Sequence, residues 1–140
     1  MLPTQSGGPG AFDQFDLNRV PTPCYVVDEE KIRSNLEILR GIADRSGANL
    51  LLALKAFSMW SLSGLIQEYL DGCCASGLWE ARLAREKGLA EKSKSKILST
   101  FSPAYRSGEM NEICSLSDHL IFNQPDSFGI EVAKNAGVSV

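Results

Sequence analysis

The chain has 140 residues, 44% of them hydrophobic and 22% charged, with a net charge of −3; this suits one ordinary domain or part of a larger one, with apolar content enough for a core. The charge gives no electrostatic case for nucleic acid or an anionic membrane surface, and no apolar run is long enough to span a bilayer. The start, MLPTQSGGPGAFDQF, lacks the basic stretch and apolar run of a secretion signal, so a cytoplasmic location is the expectation.

Residues 1–21 are rich in Gly, Pro and polar side chains without a period, and read as a flexible leader. TPCYVVD then predicts a short strand, Cys24 to Val27, after a proline that cannot donate to a ladder. Asp28 is placed to cap the next helix, Glu29 and Glu30 suit its positive end, and Gly47 marks its stop. Ile32, Leu36, Leu39 and Ala43 form its apolar stripe.

The same alternation then repeats. Strand 49–54 (NLLLAL) precedes a helix with Leu62, Leu65, Ile66, Tyr69 and Leu70 on one face. Strand 73–76 (CCAS) precedes a helix around LWEARLAREKG that ends at Gly88. Strand 96–101 (KILSTF) precedes a helix carrying Met110, Ile113 and Cys114. Strand 119–123 (HLIFN) precedes a helix from Asp126 to Asn135, and GVSV opens another strand. Such spacing fits strands joined by crossover helices, and strands apolar on both faces mean a parallel sheet covered by helices. A doubly wound open sheet and a (β/α)8 barrel both fit. No G-x-G-x-x-G follows the first strand and no P-loop occurs, so a nucleotide site has no support.

Cys24, Cys73, Cys74 and Cys114 form no C-x-x-C pair, and His119 is the one histidine, so no zinc site or other metal centre is indicated. The cysteines read as small packing residues in a reducing compartment; the adjacent Cys73 and Cys74 point to opposite faces of a strand and make a poor redox pair.

Lys55 ends the run LLALK. The bland reading is a strand end whose lysine reaches water. On this strand Leu51, Ala53 and Lys55 share one face, and Leu52, Leu54 and Ala56 the other. If the sheet closes into a barrel with the first set inward, Lys55 stands at the carboxyl end of a strand, where such barrels do chemistry. An apolar wall favours the neutral, nucleophilic amine, which a Schiff base with a carbonyl requires; pyridoxal 5′-phosphate is the common partner.

TPCYVVD, ALKAFSMWSL, YLDGCCASGLWEARLAREKG, FSPAY and DHLIFNQ, in this order, resemble the N-terminal part of the carboxynorspermidine (carboxyspermidine) decarboxylases, from about Thr22 to the end. These are pyridoxal-phosphate enzymes of the alanine racemase and ornithine decarboxylase fold group. The resemblance implies an α/β fold, with residues 22–140 as the N-terminal half of a (β/α)8 barrel and the family's C-terminal β-domain absent. It implies that Lys55 holds the cofactor, and that the activity is decarboxylation of a carboxylated polyamine by a homodimer when complete. The chain is about half a barrel and lacks the family's phosphate loop and pyridine-nitrogen acid, so alone it is expected to be inactive. Cys73 and Cys74 stand where small hydroxyl residues are expected.

Ser76, Thr100, Ser102 and Asn123 fall near the carboxyl ends of their strands, on the Lys55 side. Ser76 and Asn123 are the candidate cofactor contacts beside Lys55; the competing reading of each is a cap or turn residue, which for Ser76, ahead of Gly77 and a helix, is a complete explanation. His119 lies at the amino end of its strand, away from chemistry. Trp60 and Trp79 read as helix-to-barrel packing, and EKSKSK (91–96) as a solvated loop. Two alternatives stand beside the polyamine decarboxylase: a non-catalytic pyridoxal-phosphate carrier on the same barrel, and another amino-acid decarboxylase of the fold group.

Overall fold

The strands are three to five residues long, and all but one are shorter than the apolar run that predicts them. A computed structural model describes residues 12–124 and 129–140. It falls into two units, Met1–Asn35 and Leu36–Val140.

In the first unit, Asp16 accepts a hydrogen bond from the Asn18 N–H at 3.0 Å and caps a single 3-10 turn, Leu17–Arg19. This is local order that composition did not predict; residues 1–11 of the expected leader lie outside the described residues. Residues 24–27 form no strand, contrary to expectation: nothing among the described residues pairs with them, and Tyr25 is fully exposed. Helix α1 (Glu29–Ser46) starts in the first unit and runs on into the second from Leu36; it begins as expected, the Asp28 carboxylate accepting the Lys31 N–H at 3.1 Å. It ends at Gly47, whose φ of +70° is the left-handed stop that glycine supplies without strain.

In the second unit, four strands alternate with helices: β1 (Leu51–Ala53), α2 (Ser63–Tyr69), β2 (Gly72–Ala75), α3 (Leu78–Glu86), β3 (Ile97–Phe101), α4 (Met110–Leu116), β4 (His119–Ile121) and α5 (Gly129–Asn135). All pair in parallel, in the order β1-β2-β3-β4. A doubly wound sheet reverses direction part-way and places later strands on the far side of the first. Here every strand adds on the same side, which is how a barrel grows, and the architecture is half of a (β/α)8 barrel. Val138–Val140 continue the series: Ser139 bridges to His119 in parallel, and the Leu120 N–H donates to the Ser139 carbonyl at 2.8 Å. The predicted helix from Asp126 is described only from Gly129; Asp126 itself lies outside the described residues.

Register fixes the faces. Leu52, Cys73 and Leu98 lie side by side, as do Ala75, Thr100 and Leu120 one level up. With Leu54 these turn toward the helices, and all but Leu52 are fully buried. They pack on Leu65 and Ile66 of α2, Leu78 and Ala81 of α3, Met110 and Ile113 of α4 and Ala133 of α5. Gly72 is required where β2 meets β3: its φ is +155°, and a Cβ there would sit 1.9 Å from the Ile97 carbonyl oxygen.

Two expectations about packing fail here. Trp60 and Trp79 are exposed, at 55% and 74%. Trp79 lies on the outer face of α3 beneath the Arg82 guanidinium, 4.7 Å from its ring centroid, and Arg82 in turn forms a two-pronged pair with Glu112 at 2.6 and 2.7 Å. The stretch 91–96 is not simply solvated. Lys92–Lys94 form a 3-10 turn, and Lys96 donates to the Gln67 and Leu70 carbonyls at 2.7 and 2.5 Å, closing the end of α2.

Candidate functional site

Among the described residues no helix covers the opposite sheet face. The central row across it is Ala53, Cys74, Ser99 and His119, and above it stand Phe101 and Ile121. Ala53, Phe101 and Ile121 are exposed on this face. Lys55 follows at its carboxyl end. Leu54 is still held to β2, its N–H donating to the Cys74 carbonyl at 3.1 Å, and the chain then turns back on itself, the Ala56 and Phe57 N–H groups both donating to the Ala53 carbonyl. Lys55 is therefore the third residue of the tight turn Ala53–Ala56 rather than the last of a strand. It is exposed and makes no hydrogen bond or ion pair with any described residue. An amine at a strand's carboxyl end with no partner of its own is free to react, and two residues from Ala53 its Cα lies within about 7 Å of the small-residue row.

Ser76 follows β2, the strand next to Lys55, at the same end of the sheet. It does not cap α3: the N-cap is Gly77, without a side-chain bond, and Glu80 instead reaches back to accept the Ser76 N–H at 2.7 Å. The capping explanation for the Ser76 hydroxyl therefore fails. Asn123 follows β4 and is exposed, lining an open groove of about 550 Å³ with Ile121, Gln124, Ile130 and Lys134. It shares the carboxyl end with Lys55 but stands three strands away, roughly 14 Å along the sheet. Thr100 faces the helices, contrary to expectation, its hydroxyl 2.7 Å from that of Ser117. Ser102 is a turn hydroxyl, donating to the Ala104 carbonyl at 3.0 Å.

The FSPAY stretch acquires a physical role. The Tyr105 hydroxyl lies 2.9 Å from the Thr100 carbonyl and 3.0 Å from that of Ile121, and accepts the Ser102 N–H at 3.2 Å. One phenol thus fastens the loop after β3 across the carboxyl ends of β3 and β4. Tyr105→Phe is expected to cost about 1–2 kcal/mol and to speed amide exchange at Ser102; an unchanged denaturation midpoint with unchanged exchange would show the bolt to be idle.

Three of the four cysteines behave as packing residues, and Cys24, contrary to expectation, does not. All four are free thiols: Cys73 and Cys114 are buried, Cys74 is half-buried, and only Cys24 is exposed. Burial pushes the Cys73 thiol from 9.0 up to about 12, and burial also raises Cys74 and Tyr105 above their ordinary values. The folded chain then holds a proton that the unfolded chain releases. This stabilisation is complete below the unfolded value of 9.0 and is lost as pH rises toward about 12. Stability is expected to fall across that window, and Cys73→Ala to flatten the fall; a variant with the same alkaline slope would reject Cys73 as its source.

Among the described residues no helix is long and apolar enough to cross a membrane, and no cluster of His, Cys, Asp or Glu could hold a metal ion.

No family model matches the chain. It is 42% identical over 110 residues to a carboxynorspermidine/carboxyspermidine decarboxylase of Campylobacter jejuni, covering 79% of this chain and 27% of that protein. A protein of the same name from Herminiimonas arsenicoxydans is 35% identical over 109 residues, covering 78% of this chain and 28% of the relative. A carboxyaminopropylagmatine decarboxylase of Synechocystis is 34% identical over 107 residues, covering 76% and 26%. The crystal structure of carboxynorspermidine decarboxylase complexed with norspermidine, from Campylobacter jejuni, superposes with a TM-score of 0.68 at 43% identity, over 75% of this chain and 27% of that one. The chain is thus similar to the N-terminal part of these decarboxylases and spans about a quarter of their length.

Proposed function

We propose that this chain is part of a pyridoxal-phosphate-dependent decarboxylase acting on carboxynorspermidine or carboxyspermidine, with Lys55 as the residue that carries the cofactor. The observation that supports this most directly is the placement of Lys55: an exposed, unpartnered amine at the carboxyl end of β1, in a segment 42% identical to a decarboxylase of that name. The residues present fit a planar group held there. Ala53, Cys74 and Ser99 are small and leave the face below Lys55 unfilled.

Bound pyridoxal phosphate supplies a sink for the electron pair left when carbon dioxide departs. This chain's own residues supply attachment and position. Lys55 offers the primary amine. Ser76, on the neighbouring strand, is the nearer of the two candidate contacts, with its backbone held by Glu80, and Asn123 stands at the far rim. Tyr105 fixes the loop between β3 and α4 so that the rim keeps its shape. We place the complete enzyme in the cytoplasm as a homodimer, in keeping with its free thiols and with the family it resembles.

A second substrate reading, carboxyaminopropylagmatine, is favoured by the Synechocystis relative but at lower identity. Carbon dioxide release by the complete protein should be fastest with carboxynorspermidine or carboxyspermidine and much slower with ornithine, lysine or diaminopimelate. If carboxyaminopropylagmatine were the fastest of all, the second reading would replace the first. Ornithine as the best substrate would reject both.

A further inference from the structure

Resting on the assignment of Lys55 as the cofactor's attachment point, we infer that Ser99 and Cys74 are contact residues, which together with Ala53 form the floor beneath the cofactor ring, the Ser99 hydroxyl making a hydrogen bond to a polar atom on its edge. Register carries the argument. Ala53, Cys74 and Ser99 are direct neighbours on three adjacent strands and turn to the face without helices. Lys55 lies at the carboxyl end of that face, and larger apolar side chains border the floor: Leu51 and Ile97 flank Gly72 in the row below, and Phe101 and Ile121 stand above its β3 end, with Ser76 following β2. The small row is a shallow seat between them.

Ser99 is the observation that points to a ligand. It is only 4% exposed, yet its hydroxyl has no hydrogen bond with any described residue. The other two buried hydroxyls, Thr100 and Ser117, satisfy each other on the opposite face. The hydroxyl is not sealed off: among the described residues Gln67 Oε1 is the one enclosed polar side-chain atom without a partner, so the Ser99 oxygen keeps a little surface on the helix-free side, where a polar group can reach it. A polar-edged ring lying on the row supplies the missing partner. Cys74 lies beside it on the same face, half-buried. Burial raises that thiol above its ordinary value, so at neutral pH it serves as a weak donor and a packing surface, while its half-exposure leaves it open to a small alkylating reagent at alkaline pH.

The test uses the complete protein containing this chain, in a Cys24→Ser background that removes the exposed thiol. Cys74 is alkylated with a small thiol reagent, with and without pyridoxal phosphate, and the label is mapped by mass spectrometry. Bound cofactor should slow labelling of Cys74 by at least about tenfold, as expected when a contact surface is covered, and leave Cys114, on the helix side, unchanged. Ser99→Ala should weaken cofactor retention about three- to tenfold, the equivalent of one hydrogen bond, and shift the absorption maximum of the bound cofactor, with Ser99→Thr restoring both. If Ser99→Ala does not fold, protection of Cys74 in the unsubstituted protein decides alone. Borohydride reduction in parallel separates the two levels of the argument. Reduction that marks Lys55 while Cys74 stays unprotected overturns the floor and leaves the attachment intact; reduction that leaves Lys55 unmarked overturns both.

Discussion

If Lys55 carries the cofactor as proposed, Lys55→Ala in the complete protein should abolish borohydride-stable attachment of pyridoxal phosphate and lower the proposed decarboxylation by on the order of 10⁴-fold, as loss of a covalent anchor does. It should leave folding nearly untouched. Lys55 is exposed and bonded to no described residue, and surface substitutions of that kind change stability by less than about 0.5 kcal/mol. This separates it from other lysines. Lys92 and Lys96 are engaged with backbone carbonyls and Lys94 with Glu91, so each has a structural reason to be where it is. Lys55→Arg should fail as Lys55→Ala does, because a guanidinium keeps the charge but offers no primary amine. Peptide mapping that puts the reduced label on a different lysine, with Lys55 unmodified, would end the assignment; so would a Lys55→Ala protein that retains full activity.

The alternation of strands and helices was legible in the sequence because each apolar strand and each helix stripe carries its own period. The choice between open sheet and barrel was not. It depends on the side of β1 to which later strands add, and no local pattern records that. Strand-like composition also misled at CYVV, where residues that favour a strand find no partner to pair with among the described residues. The tryptophans misled in a related way. Helical spacing says which residues share a face, but Trp79 is held on the outside by Arg82 and Glu112, a contact that only tertiary structure creates. At the site, Lys55 could be read from the polar end of an apolar run, and its two candidate neighbours from their places after strands. The orientation of Ser99 and Cys74 was hidden because a small polar residue inside a strand looks the same whether it faces the helices or the opposite side of the sheet. Thr100 was misplaced by one position for that reason.

Asp118→Ala should be among the most destabilising substitutions in the second unit, by about 3 kcal/mol, through an ion network at the amino ends of the strands that sequence reading did not find. The Asp118 Oδ2 accepts the Leu98 N–H at 2.7 Å and the Arg85 Nη2 at 2.8 Å. Arg85 is only 10% exposed, and its other nitrogens donate to the carbonyls of Leu116, Ala90 and Lys96. One guanidinium therefore closes α3 and α4 onto β3 and β4. The same device occurs one pair of strands earlier. Arg40 of α1 pairs with Asp71 at 3.0 Å, and Asp71 accepts the Leu50 N–H at 2.7 Å ahead of β1. Burial pushes the Asp71 carboxyl up, but the Leu50 N–H and the Arg40 guanidinium outweigh it and hold the group below the usual carboxylate range. In each case a helix arginine grips an aspartate that precedes a strand, and the aspartate takes a backbone N–H from the strand beside it. This ties neighbouring strands together at the end opposite Lys55, where barrels carry stability rather than chemistry. The two clamps differ in depth. Side chains of the Arg40–Asp71 pair are 26% and 29% exposed, so water replaces part of what Asp71→Ala removes. The Asp118 carboxylate is itself 39% exposed, so the difference rests on Arg85: Asp118→Ala leaves a cation that is only 10% exposed without its counter-ion and the Leu98 N–H without its acceptor. Asp118→Asn keeps an acceptor and should cost less than Asp118→Ala. Urea denaturation of the complete protein and its three variants should rank them in that order, Asp118→Ala below both Asp71→Ala and Asp118→Asn. Equal midpoints for the two alanine variants would show that burial of Arg85 does not set the strength of the clamp.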